Sequence, residues 1–275
     1  MKLNKNFTAS KNGKAVDLLY QATGLSKSTI KKTMKSGAVW HRRGKAKERR
    51  LRRATFDIRS GDRLAIYYDE AIVSRRAPEA HCIKDHHHFS IWFKPAGLMT
   101  QGSRYGDHCA LSRQVERHFQ PRRNVHVVHR IDRETAGLVL LCHNSEAAGH
   151  FSRMFRHREI KKGYNVQVRG DLRHFGEQGV ITLPLDGRDA RTSYRWMAYD
   201  PKMDESHAHV EIISGRTHQI RRHFDMIGFP VVGDPRYGIG NKNRSGLKLF
   251  ASSLEFICPF QHQLVRIQIN PRGPH

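Results

Sequence analysis

Two short apolar segments joined by a polar loop constrain this chain more than any other feature of its sequence. Apolar runs of this length are typical of buried strands, so the pattern predicts strands over 124–131 and 138–142. Asp132 then lies in a short loop between two rigid elements, which would hold its side chain in place. Arg130 and Arg133 beside it favour the ionised carboxylate. By itself, an aspartate in such a loop is more often a turn or salt-bridge residue than a functional one.

The neighbouring sequence mixes strand and helix patterns. Apolar runs predict strands over 89–93 and 160–168. Apolar residues at helical spacing predict helices over 145–156 and 217–227, and Gly228 is well placed to end the second of these. We therefore expect a body of mixed α and β structure after residue 88.

The composition favours a polyanionic partner. The chain has 275 residues, 38% of them hydrophobic, which is enough to bury a core, and its formal net charge is +24. A soluble protein this basic is expected to meet a polyanion. Its apolar runs are too short to span a bilayer, and no apolar segment follows the basic N-terminus. We expect a cytoplasmic protein with no membrane partner.

No metal or cofactor site is expected. The four cysteines are widely spaced and none forms a CxxC pair, which argues against a zinc site or a disulfide scaffold. Reduced thiols are then the expected state. His86, His87 and His88 are adjacent, and three adjacent side chains of an extended segment cannot converge on one ion.

Half of the net charge lies in the first quarter of the chain, where residues 1–70 hold 18 Lys or Arg and 6 Asp or Glu. Apolar spacing predicts two short helices there, with Ser26 capping the second and with Ile30 and Met34 on one face of it. Eight of the thirteen residues in 41–53 are Arg or Lys. This pattern indicates a small basic module ahead of the larger body.

The order of a lysine-faced helix, a basic turn and a Gly-Asp pair before a strand resembles the S4 RNA-binding domain over about 14–70. The usual Asn-Gly-Lys turn reads Arg43-Gly44-Lys45 here. The alternative is a solvated basic face with no fixed partner. The RNA contacts expected in this module are Lys31, Lys32, Lys35, Arg42, Arg43, Lys45, Arg49, Arg50, Arg52 and Arg53.

Five motifs in the body, in order, resemble the RluA-type pseudouridine synthases over about 89–257. They are Phe93-Lys-Pro-Ala-Gly-Leu98, His129-Arg-Ile-Asp-Arg-Glu-Thr-Ala-Gly-Leu138, Lys162-Gly-Tyr164, Ser214-Gly-Arg-Thr-His-Gln-Ile-Arg221 and Gly228-Phe-Pro-Val-Val-Gly-Asp-Pro-Arg-Tyr-Gly238. Ile131 stands where the family usually has Leu, and Ala136 where it usually has Ser. We predict a tail over 1–13, an S4-like RNA-binding domain over 14–70, a linker over 71–88 and a catalytic domain over 89–275.

The resemblance implies an α+β fold with a mixed, largely antiparallel sheet. It implies an isomerase that breaks the N1–C1′ bond of an RNA uridine and rejoins the uracil through C5, with no cofactor. Asp132 would be the catalytic aspartate, as nucleophile or as stabiliser of a sugar cation. Tyr164 would be an active-site tyrosine that stacks on the base or relays a proton, and Arg221 would pair with Asp132.

The remaining basic residues near the motifs are expected to have supporting roles. Arg130 is expected to contact the RNA backbone, with a structural salt bridge as the alternative. Arg216 and His218 are expected to bind phosphate or to make structural hydrogen bonds, and Lys94 is expected to be structural.

The expected substrate is large-subunit ribosomal RNA, with transfer RNA as the alternative, and ribosomal subunit precursors are possible partners of a monomeric enzyme. A catalytically silent RNA-binding or ribosome-assembly protein is the competing function. Intact Asp132, Tyr164 and Arg221 argue against it. A nuclease or glycosidase would need paired carboxylates or clustered metal ligands, and Asp186 and Asp189 are better explained by a hairpin turn.

Overall fold

A computed structural model describes residues 1–270 and divides the chain into two compact units. Unit 1 consists of Met1–Pro78 and Gln101–Arg122. Unit 2 consists of Glu79–Thr100 and the chain from Arg123 onward. Each unit is therefore built from two separate stretches of sequence.

Unit 1 packs short helices against a four-stranded sheet of order β1-β6-β3-β4, beside a two-stranded β2-β5 pair. Its strands are β1 (Lys2–Thr8), β2 (Gly13–Lys14), β3 (Val39–Arg42), β4 (Arg49–Arg50), β5 (Asp57–Ile58) and β6 (Arg63–Asp69). Its helices are α1 (Ala15–Thr23), α2 (Lys27–Lys35), α3 (Glu70–Val73) and α4 (Leu111–His118).

Helix α2 forms as its sequence predicts. The Ser26 side chain accepts a hydrogen bond from the Thr29 backbone N–H at 3.2 Å, which satisfies one of the free donors at the helix start. Ile30 and Met34 are fully buried in the core of unit 1, whereas Lys31, Lys32 and Lys35 are exposed. The helix therefore presents an apolar face to the core and its lysines to solvent.

The unit boundaries differ from those predicted. The segment predicted as a tail contains β1, which pairs antiparallel with β6 from Lys2↔Asp69 to Thr8↔Arg63. Strand β1 is polar in composition because Leu3 and Phe7 pack on the core and its other residues are exposed. Residues 101–122 fold with unit 1, and the predicted linker over 71–88 contains most of α3 and a strand. These associations depend on distant partners, which local patterns do not reveal.

Unit 2 is built on a ten-stranded sheet of order β12-β13-β14-β11-β15-β10-β8-β7, with β16 beside β15 and β9 beside β10. Its strands are β7 (His81–Asp85), β8 (Phe89–Lys94), β9 (His126–Val127), β10 (Ala136–Cys142), β11 (Lys161–Arg169), β12 (Gln178–Ile181), β13 (Thr192–Asp200), β14 (Glu205–Ile212), β15 (Leu249–Ile257) and β16 (Leu264–Gln268). Its helices are α5 (Ser145–His157) and α6 (Gln219–Met226).

The sheet of unit 2 confirms the predicted α+β class. Strand β10 pairs parallel with β15, and the other strand pairs of the described chain are antiparallel. Helix α5 packs Phe151 into a core with Phe89 and Phe256, and α6 packs Phe224 against Tyr194. The helices and the sheet thus bury the faces that the apolar patterns predict.

The strand predicted over 124–131 is wrong for most of its length, because only His126–Val127 pairs with β10. Beyond Val127 the backbone leaves the sheet. The ring Nε2 of His129 accepts the Leu140 backbone N–H at 2.8 Å, taking the place of a strand-to-strand bond. The residues that follow form the loop that leads into β10.

The turn containing Asp186 is a hairpin turn, as predicted. Leu185 and Arg188 exchange two backbone hydrogen bonds, and both Asp186 and Gly187 have positive φ, as a type I′ turn requires. Within the described chain, no helix is both long and apolar enough to cross a membrane.

Candidate active site

The loop between β9 and β10 carries Asp132, and three contacts hold its backbone. The Thr100 hydroxyl donates to the Ile131 carbonyl at 2.9 Å and accepts the Ile131 N–H at 3.3 Å. The Gly97 N–H donates to the Arg133 carbonyl at 2.7 Å. Because the backbone is held on both sides of Asp132, the point from which its side chain projects is fixed.

Lys94 supports the same loop from beneath. Its side chain is fully buried, and Nζ donates to the carbonyls of Leu98 at 2.6 Å and Arg133 at 3.3 Å. Burial lowers the pKa of Lys94 to about 7, against the opposing effect of Asp132. These contacts are those of a structural lysine, as expected from the sequence.

Asp132 is joined to a buried chain of charges. Its Oδ2 lies 3.1 Å from Arg221 Nη1, and Arg221 in turn donates from Nε and Nη2 to Asp234 at 2.6 and 2.7 Å. The side chains of Arg221 and Asp234 are 2% and 0% exposed, and that of Asp132 is 21% exposed. Burial alone would lower the pKa of Arg221, but the bonds from Asp234 and Asp132 outweigh it and raise the pKa. The guanidinium is therefore permanently charged and aimed at Asp132.

His218 lies on the other side of the carboxylate. Its Nε2 is 3.8 Å from Asp132 Oδ1, and its Nδ1 lies 3.0 Å from the Tyr237 hydroxyl. Burial lowers the pKa of His218, with Asp132 opposing the shift. The backbone of His218 is left-handed, with φ 53°, where it precedes α6. The ring is thus held between Tyr237 and Asp132, a contact that the motif alone did not indicate.

Tyr164 of β11 and Asp132 line one cavity of about 70 Å³. Burial, and to a smaller extent the charge of Asp132, raises the pKa of Tyr164. The phenol therefore stays neutral and protonated at physiological pH. It can donate a hydrogen bond or present its ring, but it is a poor base.

Thr135 also lines this cavity, and its hydroxyl Oγ1 is buried without a hydrogen-bond partner among the described residues. Buried hydroxyls are usually bonded, so an orphaned one in a cavity wall is available to a ligand. Thr135 and Asp234 stand inside two of the family motifs, but the sequence alone assigns neither of them a role. Their positions in those motifs are the one indication of function, because nothing in the neighbouring sequence shows which atoms they face.

The structure brings together Asp132, Tyr164 and Arg221, which are distant in sequence, and places Arg130 in the same cavity wall. In residues 1–270 no group of three His, Cys, Asp or Glu side chains could hold a metal ion. Asp132, Arg221 and Tyr164 supply a fixed carboxylate, a charged guanidinium and a neutral phenol.

The RNA contacts predicted in unit 1 fall into two classes. Arg50 and Arg52 are half-buried and both bind the Asp107 carboxylate, at 3.2 and 2.5 Å, and Arg43 binds Asp62. These three arginines have structural partners in unit 1, which the charge run did not predict. Arg42 is half-buried, and the exposed members of the predicted set are Lys31, Lys32, Lys35, Lys45, Arg49 and Arg53.

Known proteins resemble this chain in sequence. Residues 88–226 match the model of a family described as RNA pseudouridylate synthase. A Vibrio parahaemolyticus protein, Dual-specificity RNA pseudouridine synthase RluA, is 29% identical over 192 residues, covering 62% of this chain and 75% of that protein. A Nitrosomonas europaea protein, Ribosomal large subunit pseudouridine synthase D, is 32% identical over 168 residues, covering 55% of this chain and 47% of that protein.

The fold is also similar to a solved structure. Human RNA Pseudouridylate Synthase Domain Containing 1 superposes with a TM-score of 0.58 at 22% identity, covering 70% of this chain and 83% of that one. At this identity the match concerns the fold.

Proposed function

This chain belongs to the RNA pseudouridylate synthase family, isomerases that act on RNA uridine, and on that premise we propose that Asp132 is its catalytic carboxylate. The single observation that carries the proposal is the buried chain from Asp234 through Arg221 to Asp132. An enzyme that needs one ionised and correctly aimed carboxylate gains both properties from such a pair.

The proposed reaction rearranges bonds without adding atoms. The N1–C1′ bond of the uridine breaks, a C5–C1′ bond forms, C5 loses its proton and N1 ends protonated. The carboxylate of Asp132 is suited to act at the sugar carbon or on the base as the glycosidic bond breaks. Thr100, Lys94 and Gly97 hold the backbone around it, so little reorganisation is needed at that moment.

Tyr164 is proposed to contact the extruded base. A target inside folded RNA must leave its stack before the reaction, and aromatic side chains commonly hold such bases. The raised pKa of Tyr164 favours stacking and hydrogen-bond donation over proton abstraction by a phenolate. His218 and the Thr135 hydroxyl lie in the same wall and are further candidates to contact the uracil.

We propose large-subunit ribosomal RNA as the substrate, free or in subunit precursors, with transfer RNA as the alternative. The name of the Nitrosomonas europaea relative supports the first choice. Unit 1 is proposed to be an S4-like RNA-binding module acting through its exposed lysines and arginines, and Arg130 is proposed to contact the RNA backbone. The enzyme is proposed to act as a cytoplasmic monomer.

The test is to incubate the protein, its Asp132→Asn variant and an Asp189→Asn control with unmodified ribosomal and transfer RNA transcripts, and to map pseudouridine at nucleotide resolution. Asp189 is exposed and does not line the cavity beside Asp132, so the Asp189→Asn variant controls for the loss of one carboxylate. We expect product from the wild type and the control, and none from Asp132→Asn. Product from Asp132→Asn at the wild-type rate would remove Asp132 from the mechanism. Tight RNA binding without product in any of them would favour a silent RNA-binding protein.

A further inference from the structure

A second cavity, of about 450 Å³, shares five wall residues with the cavity beside Asp132: Arg130, Tyr164, Ile212, Gly215 and Arg216. None of the residues that line it is acidic. Small ligands usually occupy cavities of about 300–1,000 Å³, so this one is large enough to hold a nucleotide. Five of its lining residues are cationic: Arg130, Arg156, Arg158, Lys162 and Arg216.

Lys162 is the least expected of these cations. It is half-buried on β11, and burial lowers its pKa. Among the described residues no carboxylate lies within salt-bridge distance of its Nζ. The adjacent Lys161, in contrast, binds Glu255 at 3.0 Å. A desolvated cation without a counter-ion is costly to the fold, so its presence in a cavity wall points to an anion that arrives from outside.

The neighbours of Lys162 do not supply that anion. His129, which lines the same cavity, has its pKa lowered to about 3 by burial and by Lys162, so it is neutral. Phe155 lies with its ring 5.9 Å from Lys162 Nζ and stacks on His129 with centroids 4.5 Å apart. Together with Ile212 and Ile213, these rings add apolar surface to a cavity wall that also carries cations. An anionic group joined to a flat apolar one is the chemistry of a nucleotide.

We propose that this second cavity binds the nucleotide adjacent in the RNA to the target uridine, with Lys162 donating to its phosphate. The inference rests on the proposed function, because it places a neighbour of the reacting nucleotide. It assigns Lys162 a substrate-binding role, whereas Tyr164, two residues further along the same strand, faces the base.

The test is equilibrium binding of a fluorescein-labelled pentauridylate by fluorescence anisotropy across a range of KCl concentrations, for wild type, Lys162→Met and Lys161→Met. The control removes the same charge from the adjacent position, and Glu255 keeps Arg266 as a partner. We expect Lys162→Met to weaken binding about tenfold, as the loss of one charge-assisted hydrogen bond does. The slope of log K against log salt should fall by about 0.7, which is one phosphate contact on a single strand.

Two further measurements separate binding from structure. The melting temperature of Lys162→Met should equal or exceed that of wild type, because the variant removes a half-buried charge that has no carboxylate partner among the described residues. A pentauridylate with neutral methylphosphonate linkages should bind wild type and Lys162→Met equally. Equal losses in the two lysine variants, an unchanged affinity in Lys162→Met, or an equal loss on the neutral oligomer would each overturn the proposal. Since no turnover is needed, failure here is distinct from failure of the Asp132 proposal.

Discussion

Breaking the pair formed by Arg221 and Asp234 should destabilise unit 2 strongly. Both side chains are almost completely buried, and two hydrogen bonds of 2.6 and 2.7 Å join them. Removing one partner of such a buried pair costs about 3–5 kcal/mol. We therefore expect Asp234→Ala to destabilise by about 3–5 kcal/mol and to lower the Tm by roughly 10 °C.

Asp234→Ala should also reduce activity, because Arg221 would lose the two hydrogen bonds to Asp234 that aim it at Asp132. Asp132 would then be its remaining carboxylate partner. Urea unfolding followed by circular dichroism gives the stability, and pseudouridine formation gives the rate. Asp234→Asn is the matched control, since its amide oxygen can still accept from Arg236 and Tyr237 backbone N–H groups. Arg221→Met combined with Asp234→Ala should recover part of the lost stability. A cost below about 1 kcal/mol, or a double variant as unstable as the sum of the singles, would refute the reasoning.

Three further outcomes follow from single groups. The pKa of His129 is about 3, against 6.5 for an ordinary histidine, so folding favours its neutral form and stability should fall as the pH drops from about 6.5 towards 3. His129→Gln should flatten this dependence in urea unfolding at each pH, and an unchanged slope would contradict it. Thr135→Val should slow pseudouridine formation about tenfold without lowering the Tm, because the Thr135 hydroxyl has no hydrogen-bond partner among residues 1–270 to lose. Arg49→Gln with Arg53→Gln should weaken RNA binding in a filter assay at unchanged Tm, whereas Arg50→Gln should lower the Tm; the reverse assignment would disprove the division of the basic run.

The sequence predicts the structure best where the residues that determine it are close together along the chain. The loop position of Asp132 follows from the apolar segments around it, and helix α2 follows from Ser26, Ile30 and Met34. In both places the residues that determine the structure lie within a few positions of one another. The pairing of Arg221 with Asp132, implied by resemblance to a family, is present at 3.1 Å.

Other features depend on partners far along the chain and could not be predicted. The carboxylate of Asp107 binds Arg50 and Arg52 from more than fifty residues away, so a run of arginines cannot show which members are free. The strand predicted over 124–131 fails because a side chain, His129, takes a hydrogen bond that a backbone carbonyl would otherwise accept. The spacing of apolar residues along the chain does not show whether a side chain or a backbone carbonyl accepts that hydrogen bond.

The two-part construction of unit 1 has a consequence for how the protein is made. Arg104 and Asp107 reach the growing chain's exit from the ribosome only after β7 and β8 of unit 2 have been synthesised. Until then Arg50 and Arg52 lack their carboxylate, and the Trp40 indole N–H lacks the Arg104 carbonyl that it binds at 3.1 Å. Vectorial synthesis therefore cannot complete the first unit before it begins the second, and removing residues 1–78 would leave the 101–122 segment without its ion-pair partners.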